Sequence, residues 1–211
     1  MLRVGLTGGL ASGKSTVARL MESGGAYVVQ ADLIAHELMK PGEIAYEEIV
    51  KRFGQSVVNK NDLGAIDRAK LGAIVFGEDR IRELNQIIHP VVIKRQEEWM
   101  EEIGKKDPLG IAVVEAALIL EAGVNGRFDK LVVVACPEAE RLRRFRERAA
   151  ALGISDEAAV ERFKSVVAAQ MPDETKLKAA DFVIDNSGRL ESAEAQVSKL
   201  MEELHALVMA K

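Results

Sequence analysis

The sequence predicts an α/β fold: a parallel sheet of five strands covered by helices, with a helical insertion and a second helical excursion late in the chain. Three observations predict it. Short, nearly continuous apolar runs alternate with helical stretches, as expected for parallel strands buried on both faces. The first run leads straight into a glycine-rich loop and then a helix, the order of a phosphate-binding unit. The helical stretch between the second and third runs, residues 43–99, is much longer than a strand-to-strand crossover needs.

The first run, Leu2 to Leu6, reads as a buried strand. The loop after it is Gly8-Gly9-Leu10-Ala11-Ser12-Gly13-Lys14-Ser15-Thr16, which meets G-x-x-x-x-G-K-[ST] at every fixed position. Glycines let backbone approach a phosphate that a side chain would block. Successive N–H groups then form a concave anion site, with the positive end of the next helix, Ser15 to Glu22, behind it. Lys14 is long enough to reach the β- and γ-phosphates of a nucleotide, and the Ser15 hydroxyl is a ligand for Mg²⁺.

Gly24-Gly25 ends that helix, and Ala26 to Gln30 is the second strand. Asp32 stands just past it, before a helix from Leu33 to Met39 that Pro41-Gly42 stops. Ligands of open parallel sheets bind beyond the carboxyl ends of the strands, so Asp32 is a candidate base for an acceptor hydroxyl. It is equally a candidate helix N-cap, and the two roles are compatible. The block from Glu43 to Trp99 is helical, with turn signals at 59–64, and Pro90 marks a kink or a new helix start.

Gly110 to Glu115 is the third strand, and the apolar sequence continues through Ala116 to Leu120. Glu115 and Glu121 flank that end, as metal or water contacts or as structural carboxylates. Lys130 to Ala135 is the fourth strand, Asp181 to Asp185 the fifth, and Leu190 to Val208 a final amphipathic helix. Between the fourth and fifth strands lies a charged helix, Pro137 to Leu152, with Arg141, Arg143, Arg144, Arg146 and Arg148. Gly153 interrupts it, and Ser155-Asp156-Glu157 caps a return helix up to about Gln170. A helix pair of this kind suits a mobile lid that excludes water from a γ-phosphate. Most of the five arginines are expected on a solvated face.

With 211 residues, 48% hydrophobic and 29% charged, the chain suits one globular unit or one core with insertions. A net charge of −4 argues against a general nucleic-acid binder. No apolar stretch reaches the ~20 residues of a membrane span, and the glycine-rich loop begins too early for a signal peptide. The single cysteine, Cys136, excludes an internal disulfide, suits a reducing, cytoplasmic location, and reads as core rather than nucleophile. Asn59-Lys60-Asn61-Asp62 spells N-K-x-D and Asp185-Asn186-Ser187-Gly188 spells D-x-x-G, but in the wrong order for a guanine-nucleotide switch, so both read as coincidences.

Phosphoryl transfer needs positioning and charge neutralisation more than covalent chemistry, and an arginine-rich lid supplies both. Several longer pieces sharpen this. They are Gln30-Ala31-Asp32-Leu33-Ile34-Ala35-His36, Ile66-Asp67-Arg68, Ile74-Val75-Phe76 and Leu84-Asn85-Gln86-Ile87-Ile88-His89-Pro90. Further on come Ala117-Leu118-Ile119-Leu120-Glu121, Gln170-Met171-Pro172, and Lys176 through Ala180-Asp181-Phe182-Val183-Ile184-Asp185-Asn186. Together they make the chain resemble the dephospho-CoA kinase family nearly end to end. Gln30 and Ala117 depart from that family's pattern.

The resemblance implies ATP-dependent phosphorylation of the ribose 3′-hydroxyl of dephospho-CoA, with ATP and Mg²⁺ as cofactors. It implies Asp32 as the base, and Lys14 and Arg141 as stabilisers of the moving phosphoryl. Arg148 and Asn186 are expected on the ATP, and Arg68 and His89 on the CoA substrate. The expected fold is then an α/β P-loop kinase fold: nucleotide-binding core at 1–35, 108–136 and 180–211, helical substrate-binding insertion at 36–107, and helical lid at 137–179. Residue reading alone leaves two rivals open, a nucleoside monophosphate kinase and a nucleotide-binding switch with no small-molecule acceptor.

Overall fold

The computed structural model describes residues 1–59, 62–77 and 80–210, with the backbone only at Phe76 and Gly77. The N-K-x-D stretch includes Lys60 and Asn61, which lie outside the described residues. Five strands form one sheet: β1 (Leu2–Gly8), β2 (Tyr27–Gln30), β3 (Ile111–Glu115), β4 (Lys130–Ala135) and β5 (Phe182–Asp185), in the order β2-β3-β1-β4-β5. β1 runs parallel to both β3 and β4, and β4 runs parallel to β5. Every residue of β3 is buried, and so is all of β1 except Arg3, which explains why these runs read as unbroken apolar sequence.

The chain divides into two compact units, Met1–Val28 with Ile103–Lys211, and Val29–Glu102. In the first unit, α1 (Lys14–Ser23) and α9 (Leu190–Met209) cover the sheet. Val17 and Met21 of α1, and Val197, Leu200 and Leu204 of α9, close over Val4, Leu6, Val113 and Val132. Each such side chain contributes on the order of 1.5–3 kcal/mol by leaving water. Elsewhere in this unit, Ile119 packs with Leu131 and Val133. Three more helices follow β4: α6 (Glu138–Ala151), α7 (Asp156–Ala168) and α8 (Asp173–Ala179). Ser155 caps α7 as its sequence suggests, its Oγ accepting from the Ala158 amide at 3.3 Å.

The second unit holds α2 (Ala31–Leu38), α3 (Ile44–Phe53), α4 (Arg68–Gly77) and most of α5 (Ile81–Lys106). It has its own core of Ile34, Leu38, Ile49, Phe53, Val57, Leu71, Val75 and Val92. Pro90 neither ends α5 nor starts a new helix: it lies inside 26 continuous residues. The ring removes one amide donor to Gln86, and both residues are exposed, so water can serve the freed carbonyl. The apolar sequence after β3 does not extend the strand. Residues 117–123 form turns rather than strand, with Ile119 tucked into the core. No helix among the described residues is long and apolar enough to cross a membrane.

Candidate active site

β1 has β3 on one side and β4 on the other. The chain therefore leaves the carboxyl end of β1 at the point where strand order reverses, where open α/β sheets bind ligands. The glycine-rich loop occupies that point. Gly13 is the N-terminal cap of α1, with φ +94°, a left-handed conformation that suits glycine. Behind it, Asn186 Nδ2 donates to the Ser12 carbonyl at 2.8 Å and would sit 1.9 Å from a Cβ placed on Gly13. Asn186 is thus a buried prop of the loop at the end of β5.

Lys14 Nζ donates to the Gly8 and Gly9 carbonyls at 3.1 and 3.2 Å, arching over the first turn of the loop. Ser15 Oγ donates to Glu115 Oε1 at 2.8 Å. Glu115 is buried, and its Oε2 has no hydrogen-bond partner. A hydroxyl beside a buried carboxylate with a spare oxygen is a hard donor set, and it fits Mg²⁺. The end of β3 therefore supplies a residue that sequence alone could not distinguish from a structural carboxylate. Glu121 turns out differently: its Oε1 pairs with Lys176 at 2.8 Å and accepts the Met171 amide at 3.0 Å, a structural arrangement.

The five arginines of α6 separate by partner. Arg143 pairs with Glu140 and Glu147, and Arg146 with Asp156 at 2.5 Å, all on an exposed face. Arg143 and Arg144 together hold the Glu140 carboxyl down at about 2, Arg143 more strongly. Arg144 and Arg148 line a surface cavity of about 500 Å³ with Ala11, Gly13, Thr16 and Asn186. That size is within the range of small-molecule sites. Arg141 is the exception: it is 2% exposed and lies against the loop, with Nη1 2.1 Å from where a Gly9 Cβ would stand. Gly9 is required there because the guanidinium takes the space of a side chain. A second cavity of about 360 Å³ lies alongside, lined by Gly9, Ser12, Cys136, Arg141, Asp173 and Lys176. Cys136 is buried, and desolvation pushes its thiol up, as suits a core residue.

Asp32, Arg68 and His89 belong to the second unit. Asp32 is exposed in the first turn of α2, and Gln30 occupies the cap position without a side-chain bond. The N-cap reading of Asp32 is therefore incorrect: the helix starts two residues earlier than the sequence suggests. Its carboxylate sits at the positive end of α2, where negative charge is favoured. Arg68 Nη1 lies 3.2 Å from His36 Nδ1, and His36 stands one turn after Asp32 on α2. His89 is half-buried on α5, and burial pushes its imidazole below the ordinary value.

A family model described as dephospho-CoA kinase matches residues 2–192. The chain belongs to the dephospho-CoA kinase family. It is 40% identical to the dephospho-CoA kinase of Aquifex aeolicus over 205 residues, 97% of this chain and 98% of that protein. The dephospho-CoA kinase of Geobacillus kaustophilus is likewise 40% identical, over 98% of each chain. Among solved structures, the dephospho-CoA kinase from Campylobacter jejuni superposes with a TM-score of 0.61 at 28% identity, covering 96% of both chains. A shikimate kinase from Bacteroides thetaiotaomicron, 14% identical with a TM-score of 0.54 and covering 96% of this chain and 98% of its own, shares the fold alone. The family resemblance read from the motifs is borne out, and so is the α/β kinase fold.

Proposed function

We infer that this chain transfers the γ-phosphoryl of ATP to the ribose 3′-hydroxyl of dephospho-CoA, the last step of coenzyme A synthesis, using Lys14, Arg141 and Asp32. The observation that carries the residue assignment is Arg141, a buried guanidinium placed against the backbone of a phosphate loop. Asp173 meets one edge of that buried cation at Nη2, while Nε is left without a partner, and a transferring phosphoryl is an anion that such a free donor can meet.

The loop amides and the N-terminus of α1 cradle the phosphates. Lys14 moves from the Gly8 and Gly9 carbonyls to the β- and γ-oxygens. Arg141 stabilises charge on the phosphoryl in flight. Thr16, Arg148 and the Asn186 region hold the rest of the nucleotide. Ser15 and Glu115 would hold Mg²⁺, which would supply charge neutralisation on the phosphates. Asp32 accepts the proton of the acceptor hydroxyl, while Arg68 and His89 bind the CoA side. His89, kept neutral near pH 7 by burial, offers one donor and one acceptor rather than a charge.

The test is product mass after incubation with Mg-ATP and dephospho-CoA, with adenosine, AMP and CMP as parallel acceptors. One added phosphate on dephospho-CoA alone is expected, and a phosphorylated nucleotide would replace the substrate. Asp32→Asn should abolish transfer while ATP affinity stays near that of the wild type, since a base acts on the acceptor. Near-normal turnover in that variant would sink the assignment of Asp32.

A further inference from the structure

Gln170-Met171-Pro172 and Lys176 stand out in the sequence, and the reaction as derived leaves them without a role. In the first unit they form a strap over the phosphate loop. Gln170 Oε1 accepts the Leu10 amide of the loop at 3.1 Å. At the other end Lys176, 1% exposed, pairs with Glu121 Oε1, which also accepts the Met171 amide. Between these anchors Asp173 Oδ2 accepts from Arg141 Nη2 at 2.6 Å.

The geometry points to Asp173 as the positioning residue of Arg141 in phosphoryl transfer, with Gln170 and Lys176 anchoring the strap that carries it. The inference rests on the role given to Arg141 above. A guanidinium is a planar fork, so one short charge-assisted bond at Nη2 sets the plane of the whole group. The remaining donors are then aimed by that bond. Nη1 lies against Gly9, and Nε is buried with no partner. Asp173 Oδ1 comes within 3.4 Å of the same Cβ position on Gly9, so the pair sits directly over the loop. A carboxylate beside a phosphoryl is unfavourable in charge. Asp173 is half exposed, and water screens that cost while the short bond persists. Position therefore outweighs repulsion, and Asp173 acts through Arg141 rather than on substrate.

The prediction is a specific coupling, read from steady-state kinetics of Asp173→Ala, Arg141→Ala and the double variant. Asp173→Ala should lower kcat about tenfold, the scale of a misplaced catalytic group, with KM for dephospho-CoA unchanged. In the Arg141→Ala background it should cost nothing further. Asp173→Glu should restore part of the loss. Equal losses in both backgrounds, or a normal kcat in Asp173→Ala while Arg141→Ala is slow, would overturn the positioning role. A normal kcat in Arg141→Ala would instead overturn the assignment of Arg141, and the positioning role with it.

Discussion

At the scale of single residues, the phosphate loop is specified by what cannot be there. Gly9 leaves room for a guanidinium, and Gly13 combines a left-handed backbone with the Asn186 amide pressed against it. Gly13→Ala should therefore be costly twice over. The backbone penalty is on the order of 1–2 kcal/mol, and displacing Asn186 from the Ser12 carbonyl adds about 1 kcal/mol more. At roughly 2–4 °C per kcal/mol for a chain of this size, the melting temperature should fall by at least ~4 °C. Affinity for ATP, read by calorimetry, should fall together with it. Gly25→Ala is the control. Its φ is +95° but nothing lies within 4 Å of the added methyl, so it should lower melting temperature alone and leave ATP binding intact. Equal losses of ATP affinity in the two variants would show that strain, not the clash with Asn186, sets the effect.

At the scale of elements, the central strands β1, β3 and β4 were legible because parallel strands covered on both faces leave little room for polar side chains, while the edge strands β2 and β5, only partly covered, were read from their short apolar runs. Their positions in sequence match β1 to β5 within two residues at either end. Other elements escaped because their causes are long-range. Pro90 signals a break, yet tertiary packing of Val92 and its neighbours in the second unit's core carries α5 through it. α8 is only seven residues long, and its reason for existing is a pair of contacts far back along the chain. Lys176 reaches Glu121 and Asp173 reaches Arg141, neither of which local spacing can reveal. The loop motif, by contrast, is local and was fully readable, whereas the division of labour among the arginines of α6 needed their partners. α8 also yields a stability prediction. Lys176→Met leaves the half-buried Glu121 carboxylate beside an apolar chain, and breaking a largely buried pair costs about 3 kcal/mol. Melting temperature should drop by roughly 6–12 °C on that basis. Lys176→Met combined with Glu121→Leu should recover much of the drop, since removing both charges leaves neither stranded. Failure of the double variant to recover would mean that Lys176 holds α8 by something other than this pair.

At the scale of the whole molecule, two compact units with separate cores invite a division of substrates between them. The residues proposed for the nucleotide, Lys14, Ser15, Arg148 and Asn186, all belong to the first unit, and those proposed for the CoA side, Arg68 and His89, to the second. Each unit buries its own apolar cluster, so a surface substitution in one has little physical route to the fold of the other. Arg68→Ala should therefore raise KM for dephospho-CoA about tenfold, the worth of one charge-assisted hydrogen bond, and leave KM for ATP within twofold. Arg148→Ala should do the reverse, because it lines the cavity beside Thr16 and Asn186. The double variant should show both effects at full size, since sites without shared partners add. Initial-rate measurements with each substrate varied at saturation of the other separate the two constants. A rise in both Michaelis constants from either single change would mean that the two substrates share their contacts, and the assignment of one substrate to each unit would fall.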